Sequence, residues 1–486
     1  MLTIKRASKN RPVDETTSPT DEDVGESVTS SPKSVFGPVC KQEEMRRSPS
    51  IETPRRLSKS AEPPSVPVSI DIPLGNQATS FFLASHVMIP TDQTQRGSYT
   101  FVHKIITEET MDDCFAPAFQ AASLATLSTQ PSYRKVRALA QSYYIKAVGA
   151  LRSAVADRKR ASKSQTLAAT LLLSLYEILA CPTKKLDVYE AHARGAMELV
   201  RIRGPSQLET PEGLEMVIMA RSRFLMLESL PGASIDMVLD SIPFAKACYG
   251  DRMGTLGFMI NTQLHLRKEI QMLFDGRCGQ MSASVMREKV ASLFEQTMEG
   301  AKRFQLLSTQ CPPAFCPIPI NASDDFPGSK MYTFENHWNA TFHVTCQGAC
   351  LMLLNHVFRC LVFLCNYTNY DTTVEYETAQ EMARSAVQSL VAMVNYSTRA
   401  FRPVAPSQKL SSPPPMRAIA VMSVFCSGIA SEFANDDQRK YIRSRLRSMA
   451  DEGGIAQAEA LLGVGDCRLP ADDIERDKKR WMSRYG

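Results

Sequence analysis

Residues 171–224 read LLLSLYEILACPTKKLDVYEAHARGAMELVRIRGPSQLETPEGLEMVIMARSRF, and this stretch decides the fold class. Its apolar residues recur at intervals of three and four, which lines them along one face of an α-helix. The helices are separated by two punctuation signals. Gly204-Pro205 stops a helix over 187–203, because glycine suits the residue past a helix end and proline cannot continue the ladder. Thr210-Pro211-Glu212 starts the next, over 209–229, with Thr210 as N-cap, Pro211 at the first helical position and Glu212 near the positive helix end.

The same repeat extends outward in both directions. Residues 164–180 are apolar nearly all round, which predicts a central buried helix. Upstream, helices are expected over 109–127 and 133–158, the latter with Val136, Leu139, Ala140, Tyr143, Ala147, Leu151 and Val155 on one face. Downstream they are expected over 233–248, 252–275, 282–308, 332–366, 374–399, 416–434, 437–449, 454–463 and 471–484. The Pro-rich runs 311–328 and 402–415 read as loop and linker. Strand-like alternation is scarce and no short-period solenoid repeat is visible. The expected fold is all-α, a multi-helix array over 79–486 with a possible subdivision near 309–331.

Residues 1–78 are of different material. Pro12, Pro19, Pro32, Pro38, Pro49, Pro54, Pro63, Pro64, Pro67 and Pro73 stand among many Ser and Thr, and Phe36 is the single aromatic. Such a segment buries too little apolar surface to offset its ordering entropy, so a disordered tail is expected. Ser58 after Arg55-Arg56, and the pairs Ser18-Pro19, Ser31-Pro32, Ser48-Pro49 and Thr53-Pro54, are candidate phosphorylation sites. Thin basic clusters at Lys5-Arg6, Lys9, Arg11, Arg46-Arg47 and Arg55-Arg56 are candidates for nuclear import.

The 486 residues carry a net charge of +5, too little to coat nucleic acid or an anionic membrane wholesale. The 13 cysteines are an odd number spread from Cys40 to Cys467, and the N-terminus has no apolar h-region. Reduced thiols in a cytosolic or nuclear compartment are expected. The most apolar window, 351–365, is interrupted by Asn355, His356 and Arg359 and reads as too short and polar to span a bilayer.

Several motifs together resemble the helical regulatory domain of fungal zinc-cluster transcription factors. They are the aromatic opening Phe81-Phe82-Leu83-Ala84; the apolar helix Leu171 to Glu177; and His192, Gly195, Ala196, Leu199, Arg203 and Gly204. Pro205, Gln207, Thr210 and Gly213 follow, then Leu266-Arg267-Lys268-Glu269-Ile270. The likeness covers about 79–275 well and the remainder loosely. It implies a nuclear transcription regulator rather than an enzyme, controlled by a small-molecule or protein effector and forming homo- or heterodimers with related regulators. The family's DNA contact is a module of two zinc ions held by six closely spaced cysteines. Before Cys114 this sequence has Cys40 alone. Two explanations follow: a regulator lacking that module, or a start that omits an upstream exon; the alternative function is a DNA-free interaction protein that modulates a full-length relative. No zinc or other cofactor is expected unless that exon exists. DNA contact is not supported by this sequence alone, and no membrane partner is expected.

Other constellations have two readings each. His343, Cys346 and Cys350, with His356 and Cys360, share one helix face at zinc-ligand chemistry, or are small polarisable core residues. Cys311 and Cys316 in CPPAFC form half a metal knuckle, or are loop thiols. Asp112-Asp113, Asp324-Asp325, Asp436-Asp437 and Asp472-Asp473 do not complete a magnesium-binding DDxxD and read as helix-start acids. Arg439, Lys440, Arg443, Arg445 and Arg447, and Arg476, Lys478, Lys479, Arg480 and Arg484, are basic helix surfaces; Ile442, Leu446 and Met449 are the packing side of the first. No G-x-S-x-G, H-E-x-x-H, P-loop or G-x-G-x-x-G occurs. No catalytic, cofactor-binding or metal residues are assigned, and a helical enzyme with an unrecognised pocket ranks last.

Overall fold

The computed structural model describes residues 72–90, 97–180, 187–228, 252–279, 281–322, 326–398, 426–451, 455–462 and 469–485. Most of the tail expected over 1–78, the helix expected over 233–248 and the linker 402–415 lie outside these residues. From Ile70 to Gly486 the chain clusters as one compact unit.

The unit is built of helices: α1 (Leu74–His86), α2 (Thr100–Glu108), α3 (Phe115–Ser128), α4 (Arg137–Ala156), α5 (Arg158–Ala161), α6 (Ser164–Ala180), α7 (Asp187–Arg203) and α8 (Pro211–Glu228). The series continues with α9 (Arg252–Phe274), α10 (Ala283–Thr309), α11 (His337–Leu364), α12 (Val374–Thr398) and α13 (426–433). It ends with α14 (Asp436–Asp451), α15 (Ala456–Leu462) and α16 (Leu469–Tyr485). The all-α expectation holds.

Helix α6 is the hub of the first half. Every residue from Thr166 to Leu179 is buried, as an all-round apolar helix requires. The hydroxyls of Thr170 and Ser174 bond back to the carbonyls of Thr166 and Leu171, so they enter the core satisfied. Helices α3, α4, α7 and α8 pack around it. On α4 the inward stripe is Ala140, Ala147, Leu151 and Ala154, with Tyr144 half-buried between them. Leu139 and Val155, expected on that face, are 42% and 41% exposed. The true stripe is one of small residues, which lets α4 approach α3 closely.

Three boundaries differ from expectation for identifiable reasons. Helix α1 begins at Leu74, inside the expected tail, because Ala78 and Phe82 are fully buried and hold it down. Helix α3 starts at Phe115 rather than 109, because the Asp112 carboxylate accepts from the N–H groups of Cys114 (3.0 Å) and Phe115 (2.8 Å). Helix α11 starts at His337 rather than 332, because a hairpin occupies the preceding residues. There β1 (Ile318–Asn321) pairs antiparallel with β2 (Lys330–Thr333), Ile318 opposite Thr333. Pro317 and Pro319 bar a helix from this stretch. Met331 is buried, and its sulfur lies 3.0 Å from Asn395 Nδ2 of α12.

One core runs from Ala78 to Ala458. A second, smaller one joins Leu266 and Ile270 of α9 to Met286 and Val290 of α10 and Phe363 of α11. Helix α11 spans 28 residues and contains a window apolar enough to cross a membrane, so the window 351–365 understated its reach. Burial on nearly all sides marks it here as a core helix. Helix α16 is fastened to α11 by Arg359, whose guanidinium meets Asp477 Oδ2 at 2.9 Å, with both side chains buried. Arg480 adds a peripheral contact to Asp275 at 2.5 Å.

Candidate functional site

The motif residues of 171–213 meet in space. Glu177, at the end of the apolar run on α6, is 2% exposed and faces His192 of α7, with Oε1 and Nε2 3.7 Å apart. The Tyr144 hydroxyl of α4 lies 3.4 Å from the same imidazole nitrogen, and its ring stacks on Tyr176 with centroids 4.4 Å apart. Burial brings His192 down to about 4. The imidazole is therefore neutral at physiological pH, and its contact with Glu177 is not a charged pair.

That shift has a consequence for pH dependence. The unfolded chain takes up the proton near 6.5, whereas the folded chain resists it until about 4. The unfolded state binds more protons in that window, so stability is present above it and is lost as pH falls through it. The loss attributable to this group is at most about 3 kcal/mol. His192→Gln is expected to flatten the fall between pH 6.5 and 4 in urea-unfolding curves; a variant with the wild-type slope would show that the group is not responsible.

The joint between α7 and α8 is a hydrogen-bonded knot. Gly204 has φ +75° and ψ −172°, a region essentially restricted to glycine. Gln207 Nε2 donates to the carbonyls of Val200 and Gly204, both at 2.7 Å, and the Val200 carbonyl also accepts from Gly204 N–H at 3.2 Å. Arg203 donates to Gln207 Oε1 (3.0 Å), the Ser162 carbonyl (3.0 Å) and Ser164 Oγ (3.2 Å), which ties the joint to the start of α6. Thr210 Oγ1 accepts from Gly213 N–H at 3.2 Å, as an N-cap should. A Cβ on Gly213 would lie 1.9 Å from the Gln207 carbonyl oxygen and 2.7 Å from Thr210 Oγ1. Gly213→Ala is therefore expected to destabilise by about 3 kcal/mol, the upper end of ordinary overpacking, because backbone must yield rather than a side chain. Thermal unfolding of the purified variant measures it.

A second buried polar cluster adjoins the first through α7. Arg223 of α8, buried, donates to the Tyr99 hydroxyl at 2.6 Å, and the Tyr189 hydroxyl of α7 donates to the Arg223 carbonyl at 3.1 Å. Tyr99 itself has φ 53°. Burial pushes Tyr189 up to about 12, so its O–H stays a donor. Glu215 accepts from Thr100 N–H at 3.0 Å and from the Thr100 hydroxyl, and burial raises its carboxyl above the usual range. Lys104 and Glu212, 2.9 Å apart, complete the seam between α2 and α8. No residue reading singled out this cluster. Its signal was Glu215 and Arg223, two charged residues in the mostly apolar run of 214–224.

Residues 86–227 match the family model described as the fungal specific transcription factor domain. The matched span holds both buried polar clusters and the α7–α8 joint. No curated protein and no solved structure matches the chain. The likeness read from Leu171–Glu177, His192–Gly204 and Pro205–Gly213 falls within the matched segment, whereas Phe81–Ala84 and Leu266–Ile270 fall outside it.

The remaining candidates are dispersed. His343 Nε2 donates to the Phe315 carbonyl at 2.9 Å, so that nitrogen is not free for a metal. Cys346 is buried, and Cys350 Sγ points at the Ala301 carbonyl, 3.6 Å away. His356 and Cys360 are buried; desolvation and then Arg359 hold the His356 imidazole well below its usual value. Among the described residues no three His, Cys, Asp or Glu side chains gather as a metal set. Asp112 caps α3, Asp113 pairs with Arg160 at 2.6 Å, and Asp436 pairs with Arg439 at 3.0 Å. Asp324 and Asp325 lie outside the described residues, and Asp472 and Asp473 fall near the start of α16.

The basic run on α14 is not one solvated face. Arg445 is buried against the Tyr441 ring at 4.7 Å, and Arg439 donates to the carbonyls of Ser431 and Ala434. Ile442, Leu446 and Met449 are its packing side, as expected. On α16, Arg480 is engaged with Asp275, while Arg476 and Lys479 are exposed.

Proposed function

We propose that this chain is a nuclear regulator of transcription that works through its helical domain. The observation that carries the reading is the match of residues 86–227 to the fungal specific transcription factor domain. The buried polar clusters support it: they lock α2, α4, α6, α7 and α8 to one another. The domain takes an effector, a small molecule or a protein, and pairs with itself or with a relative.

An alternative within this proposal is that the chain acts by pairing with a DNA-binding relative and modulating it. Two experiments separate these readings. A fusion of the full chain to a heterologous DNA-binding domain should move a reporter severalfold in either direction; an unmoved reporter together with exclusion from the nucleus would end the proposal. Promoter occupancy of the unfused chain that disappears when a related regulator is deleted would select the modulator reading.

A further inference from the structure

The segment CPPAFC, Cys311–Cys316, folds back on itself between α10 and β1. Pro313–Phe315 form a single tight turn, with Phe315 N–H donating to the Pro312 carbonyl at 2.8 Å and Cys316 N–H to that of Pro313 at 3.2 Å. The turn brings Cys311 Sγ and Cys316 Sγ to 2.9 Å. A disulfide bond is about 2.05 Å long, so only a small further approach separates the thiols from bonding distance.

Three observations make this more than two nearby cysteines. The turn is held from outside: Asn339 Nδ2 donates to the Ala314 carbonyl at 2.8 Å and His343 Nε2 to that of Phe315 at 2.9 Å, both from α11. The two thiols are half-buried, open to a small reagent, in a turn whose other residues are exposed. Cys114, Cys350, Cys360 and Cys426, by contrast, are buried, with thiols pushed by burial up to about 12. They are closed to solution oxidants and hold their protons.

We propose that Cys311 and Cys316 form a reversible dithiol–disulfide site, oxidised by a low-molecular-weight disulfide of the glutathione class. One cysteine thiolate attacks the reagent's disulfide and forms a mixed disulfide, releasing one glutathione thiolate. The second cysteine thiolate then attacks the protein sulfur of that mixed disulfide and releases the other glutathione. The two protons lost by the cysteines end on the two glutathione thiols, and the reagent is reduced by the two electrons the cysteines give up. The product fixes the turn that presents the Ala314 and Phe315 carbonyls to α11.

The test is redox titration of the native full chain in reduced and oxidised glutathione, followed by alkylation, trypsin and mass spectrometry. Both cysteines fall in the peptide Phe304–Lys330, which has no other cysteine. The expected product is that peptide lighter by two hydrogens and unalkylated, restored by dithiothreitol. Because the fold holds the sulfurs together, half-oxidation is expected at a ratio about tenfold more reducing than in the urea-unfolded chain. Cys311→Ser should trap a glutathione adduct on Cys316. Persistent adducts on the Phe304–Lys330 peptide of the native wild-type chain, or equal ratios for folded and unfolded protein, would overturn the proposal.

Discussion

Asp477→Ala is expected to destabilise the protein by about 3–5 kcal/mol, the cost of leaving a buried charge without its partner. Arg359 and Asp477 are 5% and 3% exposed, so water cannot substitute for the lost carboxylate. The guanidinium also stands over the Phe274 ring at 5.1 Å, a contact worth less than the ion pair and unable to neutralise it. The visible outcome is release of α16, read as new protease cleavage within Leu469–Tyr485 and a lower urea midpoint. Replacing both partners, Arg359→Met with Asp477→Leu, is expected to recover most of the loss, since an apolar pair has no charge to desolvate. A double variant as unstable as Asp477→Ala would assign the effect to packing alone.

Leu175→Ala is the second large effect, about 2–5 kcal/mol. Leu175 is fully buried at the centre of α6, with α3, α4, α7 and α8 packed around that helix. So many surrounding helices cannot collapse together into the vacated volume, which places the cost toward the upper part of that range. Ile145 on α4 is the control: it is 64% exposed, and its truncation to alanine should change stability by no more than about 0.5 kcal/mol. Paired urea denaturation of the two variants reads the contrast directly.

The helical periodicity made most of the architecture legible. Helices α6, α7, α9 and α12 lie where the apolar repeat puts them, and α7 ends at the Gly204-Pro205 signal. Legibility failed where tertiary contacts overrode the local pattern. Leu74–Ala78 reads as tail until Ala78 and Phe82 are seen to be buried. The β1–β2 hairpin is held by its docking on α12, a partner more than fifty residues downstream. The candidate site divided the same way. Arg203, Gln207, Thr210 and Gly213 were visible as a motif, but the reason for each is a hydrogen bond or a close approach that spacing does not disclose. The Tyr99–Arg223–Tyr189 cluster joins three separate segments, and no local window contains more than one of them.

The Arg359–Asp477 pair also sets an order of events at the ribosome. Its two members are 118 residues apart in sequence. At about 5–20 residues per second, Arg359 is synthesised roughly 6–24 s before its counter-charge. During that interval α11 must keep its guanidinium in water or on another partner, so its final seating waits for α16. A nascent chain arrested before Asp477 carries Arg359 on an apolar helix without its counter-charge.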